Sequence, residues 1–279
     1  MKNGQRKFFH LHLVSDATGE TLNTVARAAT AHYADFQPIE HVYALVRSQR
    51  QLQRVLQNIE QNPGIVLFTI VNTDLRKQLE SACLALDVPA ISILDPIIAS
   101  LASYLNAESQ PRAGAQHAMD ADYFRRIEAM NYTILHDDGQ HTENLEDADV
   151  VIVGISRTSK TPTSIYLANR GIKTANVPLV PQVPLPAGIE ALKTPVVVGL
   201  VASVDRISQI RKNRLLSLNE NRATSYAAKD VIAEEITFAR KLCNRHKWPV
   251  IDVTRRSIEE TAAAILNIYH QRQEAGTVS

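Results

Sequence analysis

The chain has 279 residues, 45% of them hydrophobic, and is long enough for two globular domains of ordinary size. Its 30 Lys and Arg nearly balance its 29 Asp and Glu, which argues against a protein that binds nucleic acid or a membrane surface. We expect no membrane span, because no apolar run approaches about 18 residues. We also expect no signal peptide, because the N-terminal apolar run is short and reaches Asp16 without a small-residue cleavage site.

The cysteines indicate a reducing compartment. Cys83 and Cys243 lie far apart and outside any C-x-x-C pair, so the sequence contains neither a disulfide framework nor a zinc pattern. This usage favours a cytoplasmic protein, in which both thiols pack as small apolar side chains.

Strands and helices alternate regularly in the N-terminal part of the chain. Each predicted strand is followed by apolar residues at helical spacing, and Ser48 is placed to cap the second helix. The predicted strands cover residues 8–15, 41–46, 65–71 and 89–94. We therefore expect residues 1–108 to form a Rossmann-like domain with a parallel sheet, whose ligands bind outside the carboxyl ends of the strands.

Polar residues follow the first of these strands in the run SDATGET, residues 15–21. One interpretation is a well-capped turn, with Thr18 as the N-cap of the next helix. The other is a site in which Asp16, Thr18 and Thr21 contact a phosphate, a metal or a partner. The residues alone do not separate the two.

A connecting segment is expected at 109–145. Residues 106–118 are polar, contain Pro111 and Gly114 and lack periodicity, which is typical of a linker. A helix at 121–130 and a short strand at 132–135 are predicted to follow it.

His136-Asp137-Asp138-Gly139 then ends that predicted strand. Adjacent carboxylates at a strand end suit a Mg²⁺ ligand or a base for an attacking hydroxyl, although an Asp-Gly turn is the plain alternative. Asp205 and Asp252 also follow β-runs and compete for the metal role.

The most informative stretch is a phosphate-type loop between a β-branched strand at 150–153 and a helix at 164–169. Gly154-x-x-x-x-Ser159-Lys160-Thr161 has the spacing of a P-loop, in which backbone amides surround phosphate oxygens, a lysine reaches the terminal phosphates and a hydroxyl ligates Mg²⁺. The alternative is a strand-to-helix turn that happens to contain Lys and Thr. The predicted nucleotide-binding residues are Gly154, Ile155, Ser156, Arg157, Thr158, Ser159, Lys160 and Thr161.

Ser159 departs from the usual pattern, which has glycine before the lysine. Glycine is favoured there because the backbone bends tightly around the phosphate, and a residue with a Cβ tolerates positive φ less well.

The remaining segments complete a P-loop kinase-like α/β domain at 146–279. Strands are predicted at 174–180, 195–201 and 250–253, helices at 204–218 and 230–245, and a capping box, Ser257-x-x-Glu260, opens the last helix. The helix at 204–218 carries Arg206, Arg211 and Arg214 in the arc of its apolar residues. These guanidiniums are candidates for phosphate or partner contacts, the alternative being a surface helix.

Several motifs together resemble one family over essentially the whole chain. They are SDATGET at 15–21, HDDG at 136–139, GISRTSKTPTSIYLA at 154–168, GLVASVDRISQIRKNR at 199–214 and IDVTRRSIEETAAAI at 251–265. This set resembles the bacterial regulatory proteins of pyruvate, phosphate dikinase and of phosphoenolpyruvate synthase, and is closer to the dikinase type.

The resemblance implies a bifunctional enzyme. Members phosphorylate a threonine of the dikinase with ADP as donor, and remove the modification by attack of inorganic phosphate with release of pyrophosphate. By that resemblance, the amides of 154–161 hold the ADP phosphates, Lys160 and Arg157 offset transition-state charge, and Thr161 ligates Mg²⁺. Asp137 or Asp138 would orient the target hydroxyl, and a homodimer is expected.

Three alternatives remain at this point. The same chemistry could act on phosphoenolpyruvate synthase, because no motif identifies the target. A small-molecule P-loop kinase would share the loop but need no protein partner. A non-catalytic sensor would bind ADP through the same amides and transfer nothing.

Overall fold

The computed structural model describes residues 7–109, 121–217 and 225–277, which belong to two compact units at 1–118 and 119–279. Strands and helices alternate through the first unit, so the predicted α/β repeat is confirmed. Its elements are β1 Lys7–Ser15, α1 Glu20–Thr30, β2 Phe36–Tyr43, α2 Gln49–Gln61, β3 Gly64–Thr69, α3 Thr73–Ala85, β4 Ala90–Ser92 and α4 Asp95–Leu105.

The sheet of the first unit is parallel, with strand order β2-β1-β3-β4. Apolar residues alternate across β1, so that Leu11 and Leu13 pack with α1 on one face while Val14 packs with α2 and α3 on the other. The prediction of β2 at 41–46 was wrong. This strand pairs with β1 from Phe36 onward, and the chain turns at Leu45, where φ is 58°.

The second unit contains the same kind of alternation after an initial helix. Its elements are α5 Ala121–Leu135, β5 Val150–Gly154, α6 Lys160–Ala168, β6 Thr174–Pro178, β7 Val196–Val201, α7 Val204–Ser217, α8 Lys229–Arg245, β8 Val250–Asp252 and α9 Ile258–Thr277. The strands form a parallel sheet of order β6-β5-β7-β8. Their side chains are largely buried and form the centre of the hydrophobic core of this unit. The expected two α/β units, each with a parallel sheet, are therefore present.

The predicted strand at 132–135 was wrong, because α5 continues to Leu135. Tyr-Thr-Ile-Leu has a strand-like composition, but Ala129 and Thr133 are buried one helical turn apart. The Thr133 hydroxyl accepts a hydrogen bond from the Thr174 amide at 3.0 Å, which fixes this helix against β6. Residues 121–145 of the predicted connecting segment thus belong to the second unit, whereas residues 110–118 of the predicted linker lie outside the described residues.

Local capping predictions are confirmed at two helices. Ser48 Oγ accepts from the Gln51 amide at 3.4 Å. In the capping box of α9, Glu260 accepts from the Ser257 amide at 2.8 Å while Ser257 Oγ accepts from the Glu260 amide at 3.1 Å.

Both cysteines are buried and unbridged, as predicted. Burial raises the pKa of each thiol to about 11, so both remain protonated at neutral pH. Among the described residues, no helix combines the length and apolar character needed to cross a membrane.

The strand order of the second sheet positions a crevice. The neighbours of β5 are β6 on one side and β7 on the other, so the connections that leave β5 and β6 run in opposite directions. Ligands of parallel α/β sheets bind at such a switch point, outside the carboxyl ends of the strands. The loop after β5 emerges there.

Candidate functional site

The loop between β5 and α6 has an unusual backbone. Arg157 and Ser159 have φ angles of 72° and 60°, in the left-handed region that favours glycine. Ser159 is the N-cap of α6, which begins at Lys160 rather than at the predicted Ser164. Pro162 is tolerated in this first turn because its missing N–H has no intrahelical partner to lose. Ser159 therefore adopts the bend that glycine makes in the usual pattern.

Gly154 is required at the start of the loop by close packing. A Cβ at this position would lie 2.6 Å from the Leu200 carbonyl oxygen and 3.0 Å from Thr158 Oγ1. The glycine thus allows β7 and the loop to approach the end of β5 together.

Lys160 lies inside the loop rather than on its surface. Its side chain is buried, with 6% relative exposure, and Nζ donates to the Ile155 carbonyl at 3.0 Å. Thr158 Oγ1 donates to the same carbonyl at 2.9 Å. Burial lowers the pKa of the Lys160 ammonium to about 8, although Asp138 and Asp137 act to raise it. The site therefore holds a cation that an incoming anion would stabilise.

Asp137 is tied to the first turn of α6. Its carboxylate accepts from Thr161 Oγ1 at 3.0 and 3.3 Å and from Asn176 Nδ2 at 2.5 Å. Asn176 Nδ2 also lies 3.0 Å from Thr161 Oγ1. These three side chains form a closed triangle beside Lys160.

Asn176 is the site residue that the sequence analysis missed. It sits on β6 and is 1% exposed, with an Oδ1 that has no hydrogen-bond partner among the described residues. A polar side chain in a buried strand next to the P-loop strand was the available signal, since buried polar groups need partners.

Asp138 occupies a different environment from Asp137. Its φ is 51°, and within the described part of the chain its carboxylate forms no hydrogen bond or ion pair. The turn that carries both carboxylates is fixed to β6, because Gly139 N donates to Asn176 O at 2.8 Å and Asn176 N donates to His136 O at 2.9 Å. Asp138 is therefore held in place while its oxygens stay available.

A cavity of about 410 Å³ collects these groups. Four residues that the sequence analysis did not include in the site also line this cavity: Pro162, Asn176, Pro178 and Ile210. Three of the predicted residues, Gly154, Ile155 and Thr158, do not line it. The predicted residues in the lining are Asp137, Asp138, Ser156, Arg157, Ser159, Lys160 and Thr161.

The three candidate arginines of α7 separate. Arg211 is 1% exposed and forms an ion pair with Glu235, with Nη2 2.5 Å from Oε2. The sequence analysis had made this guanidinium a candidate for a phosphate contact. That prediction was wrong, because the guanidinium pairs with Glu235 inside the protein. Arg206 and Arg214 are exposed and do not line the cavity.

The competing acidic residues are engaged elsewhere. Asp205 pairs with Lys229 at 2.6 Å, and Asp252 accepts from Thr254 and from Arg240. Neither lines the cavity, so Asp137 and Asp138 are the carboxylates available to it.

The SDATGET run of the first unit makes structural contacts. The buried Asp16 carboxylate accepts from the Val71 amide at 2.6 Å, and Ser15 Oγ accepts from Thr69 Oγ1 at 2.9 Å. The N-cap of α1 is Gly19, with φ 82°, and not the predicted Thr18. These bonds join the ends of β1 and β3, and Asp16 is thereby committed to the fold.

The triangle beside Lys160 has the donor chemistry of a magnesium site. Thr161 Oγ1 and the Asp137 carboxylate are hard oxygen donors, whereas Asn176 meets both of them through Nδ2, which cannot bind a cation. In the described ranges, no group of three or more His, Cys, Asp or Glu could hold a metal by itself. A set with one carboxylate suits Mg²⁺, which takes few protein ligands and completes its shell with water and substrate phosphate.

Comparison with known proteins identifies the family of this chain. Residues 11–266 match the family model described as kinase/pyrophosphorylase. A relative from Bradyrhizobium diazoefficiens is 59% identical over 95% of this chain and 96% of its own length. One from Afipia carboxidovorans is 55% identical over 98% and 99%, and one from Maricaulis maris is 57% identical over 95% and 95%. All three are provisionally named pyruvate, phosphate dikinase regulatory proteins.

Among solved structures, an ornithine carbamoyltransferase from Coccidioides immitis aligns at 13% identity and a TM-score of 0.25, over 92% of this chain and 75% of its own. A likeness of this size carries no argument. The family match covers most of the chain and includes the loop, the carboxylates and α7. The chain belongs to the kinase/pyrophosphorylase family.

Proposed function

We propose that this protein is an ADP-dependent serine/threonine kinase that phosphorylates a threonine of pyruvate, phosphate dikinase. We further propose that it removes that phosphate by phosphorolysis with inorganic phosphate, giving pyrophosphate. The observation that carries the proposal is the convergence of Lys160, Thr161, Asp137 and Asp138 on one cavity at the end of β5. The names of the family and of the relatives support the reaction and the target.

In the kinase direction the loop positions the donor. The unpaired amides at the start of α6 face the phosphates of ADP, and Lys160 and Arg157 offset the charge on the equatorial oxygens. Lys160 exchanges its bond with the Ile155 carbonyl for one with phosphate. Because phosphoryl transfer needs mainly positioning and charge neutralisation, this cradle supplies most of the catalysis.

Asp138 is the better candidate for orienting the target hydroxyl. The Asp137 carboxylate is already occupied by Thr161 and Asn176, whereas that of Asp138 is available to the cavity. The threonine oxygen forms a bond to the β-phosphorus of ADP while the bond from that phosphorus to the bridging oxygen breaks. AMP leaves with the electron pair, and the hydroxyl proton passes to Asp138.

Phosphorolysis of the phosphothreonine uses the same groups. An oxygen of inorganic phosphate bonds to the phosphorus of phosphothreonine, and the bond from that phosphorus to threonine Oγ breaks. A proton that the attacking phosphate carries passes through Asp138 to the threonine Oγ, and pyrophosphate leaves along the loop. One site therefore serves both directions, which fits a family described as both kinase and pyrophosphorylase.

Thr161 and Asp137 would hold Mg²⁺ through their oxygens. When bound, the ion would neutralise charge on the phosphate oxygens. In the protein as described, the Thr161 hydroxyl donates to Asp137, so that both oxygens are already close together.

The same geometry allows other targets, which serve as outcomes of the test. Phosphoenolpyruvate synthase would use the same site with a different docking surface. A small-molecule kinase would fill the cavity without a protein, and an ADP sensor would transfer nothing. A cytoplasmic location and a homodimer remain predictions of the proposal.

The test is incubation of the protein with ADP, Mg²⁺ and purified dikinase, followed by peptide mass spectrometry. We expect one phosphothreonine on the dikinase, AMP in equal amount, and loss of the modification with release of pyrophosphate after phosphate is added. The matched controls are Lys160→Met, which keeps the stem of the side chain and removes the charge, and synthase in place of dikinase.

Four outcomes would contradict the proposal. Phosphate on the synthase alone changes the target, and phosphate on a small molecule alone changes the class of enzyme. ADP binding without transfer to either protein makes the chain a sensor. Retention of one activity by Lys160→Met would show two separate centres.

A further inference from the structure

Tyr226 contacts the phosphate loop from outside the motifs that define it. It lies in a 3₁₀ turn, Ser225–Ala227, between α7 and α8. Its hydroxyl lies 3.3 Å from Ser156 Oγ and accepts from Arg157 Nε at 3.2 Å. Two consecutive residues of the loop are thus held by one phenol.

The ring of Tyr226 packs against the buried guanidinium of Arg211. Arg211 donates from Nη1 to the Tyr226 carbonyl at 2.9 Å, and its guanidinium lies 4.6 Å from the ring centroid. Glu235 fixes this guanidinium by a second bond, from Nη1 to Oε1 at 3.0 Å. Arg211 Nη2 also lies 3.4 Å from the Ser156 carbonyl. A buried ion pair is costly to disturb, so the phenol stands on a rigid base.

The contact with Tyr226 determines how Arg157 can meet a ligand. The side chain of Arg157 is exposed, and among the described residues its hydrogen bond to Tyr226 is the contact that restrains it. A guanidinium is planar, and a bond at Nε fixes the orientation of the plane. Nη1 and Nη2 are then left for the bidentate contact that arginine makes with phosphate.

We propose that Tyr226 is a positioning residue that orients the Arg157 guanidinium toward the phosphates of a bound nucleoside diphosphate. The ligand in this inference rests on the proposed function. Arg211 and Glu235 act one step further back, through the ring.

The electrostatics of the phenol agree with this geometry. Burial by itself would raise the pKa of Tyr226, but hydrogen bonds from Ser156 and Arg157 and the charges of Arg157 and Arg211 bring it below its ordinary value. The hydroxyl oxygen is thus a favoured acceptor for Arg157.

Tyr226→Phe isolates the hydroxyl. The variant keeps the ring over Arg211 and the backbone carbonyl that Arg211 binds, and removes the two contacts with the loop. Tyr166→Phe is the matched control, because Tyr166 also lies under a guanidinium, that of Arg170 at 4.0 Å, and does not line the cavity.

The experiment is a double-mutant cycle read by calorimetric titration with ADP and Mg²⁺. We expect Tyr226→Phe to weaken ADP binding by about 2- to 12-fold, because an Arg157 side chain that is no longer held must be ordered when ADP binds. In an Arg157→Met background the same change should have almost no further effect, because the group that it orients is gone. Tyr166→Phe should leave the affinity unchanged.

Additive losses in the cycle would overturn the inference, since they would mean that Tyr226 supports the fold of the loop and not Arg157. Unchanged affinity in Tyr226→Phe would also overturn it. The proposed function fails separately: wild-type protein that binds ADP but does not phosphorylate the dikinase rejects the reaction, while the cycle still measures the coupling of Tyr226 to Arg157.

Discussion

The Thr161 hydroxyl donates to the Asp137 carboxylate at 3.0 Å and joins the first turn of α6 to the turn after α5. This bond gives the two adjacent carboxylates different tasks. Asp137→Asn removes the negative charge and one of the two acceptor oxygens that Thr161 and Asn176 share, so we predict that it weakens ADP binding in the presence of Mg²⁺ by at least about tenfold. Titration calorimetry with and without Mg²⁺ measures the change.

Asp138→Asn is the partner of that variant and should behave in the opposite way. Its carboxylate forms no hydrogen bond within the described residues, so ADP affinity should stay within about threefold of wild type. Phosphoryl transfer should fall by about 10²- to 10⁴-fold, the usual contribution of a general base. The assignment is wrong if Asp137→Asn binds normally and loses only the transfer step.

Ser159→Gly should stabilise the protein. Ser159 has φ 60°, and its side chain makes no capping bond, so glycine removes backbone strain of about 1 kcal/mol without losing a contact. ADP affinity should be equal or slightly higher, because the loop is already in the required conformation. Urea denaturation followed by circular dichroism measures the free energy of unfolding.

Ser156→Gly provides the control for that prediction. It makes the same change three residues earlier, where φ is not positive, and it removes the contact with Tyr226. This variant should be destabilised by about 0.5–1 kcal/mol. Destabilisation of Ser159→Gly to the same extent would show that the serine hydroxyl supports the loop.

The strand β5, the polar loop after it and the βα alternation could be predicted because their causes are local. A β-branched run of buried residues and a fixed spacing of Gly154, Lys160 and Thr161 are visible in any window of the sequence. The backbone bend at Ser159 was also visible, as a departure from glycine. What the sequence lacked was any sign of how that bend is supported.

Asn176, Tyr226 and the two tasks of the carboxylates depend on contacts between distant segments. Asn176 meets Asp137 across 39 positions, and Tyr226 meets Arg157 across 69. Arg211 was predicted to contact phosphate or a partner, but helical spacing cannot tell a guanidinium that faces a ligand from one that pairs with a carboxylate inside the protein. Only the packing of α7 on α8 decides this, because Glu235 lies on α8.

ADP binding should take up protons near pH 8. Burial lowers the pKa of Lys160 to about 8, so the amine is about half protonated at that pH in the free protein. Bound phosphate favours the charged form and raises this pKa, so protons are taken up on binding; at pH 6 the amine is already protonated and contributes none. Calorimetric titrations in buffers with different ionisation enthalpies measure the number of protons taken up for each ADP bound.

Two comparisons make that measurement specific to the lysine. Lys160→Met should lose the uptake near pH 8, even if it retains weak ADP binding. Wild-type protein that takes up equal amounts at pH 6 and pH 8 would assign the protons to another group.

Gly154→Ala should be severe, because the new Cβ would lie 2.6 Å from the backbone oxygen of Leu200. We expect a loss of about 3 kcal/mol or more in the free energy of unfolding, as is typical when a buried clash must be relieved by backbone movement. Gly188→Ala is the control: φ is 84°, but nothing lies within 4 Å of a Cβ there, so its cost should be about 1 kcal/mol. A loss of about 1 kcal/mol or less in Gly154→Ala would mean that Leu200 and the loop move aside easily and that close packing does not require Gly154.

Acid should lower the stability of the first unit through His12, a fully buried residue of β1. Its ring stacks on His41 at 4.6 Å, its Nε2 bonds to the Asn62 carbonyl at 2.8 Å and its Nδ1 lies 3.2 Å from the Tyr43 hydroxyl. Burial lowers the pKa of His12; the Asn62 bond opposes this shift, while His41 and His10 add to it.

The unfolded chain therefore binds the proton more tightly than the folded one. Stability is complete above pH of about 6.5, the unfolded value, and is lost as the pH falls toward the lower folded value. Within that window the opening equilibrium of β1 should rise by up to about tenfold per pH unit, the limit for one proton. Hydrogen exchange of β1 peptides, corrected for the intrinsic rate, measures this slope. His12→Phe should flatten it although the variant is less stable overall, and His32→Gln, at an exposed histidine, should leave it unchanged. A slope that persists in His12→Phe would move the effect to His41, whose pKa burial also lowers and whose Nε2 lies 2.9 Å from His10 Nδ1.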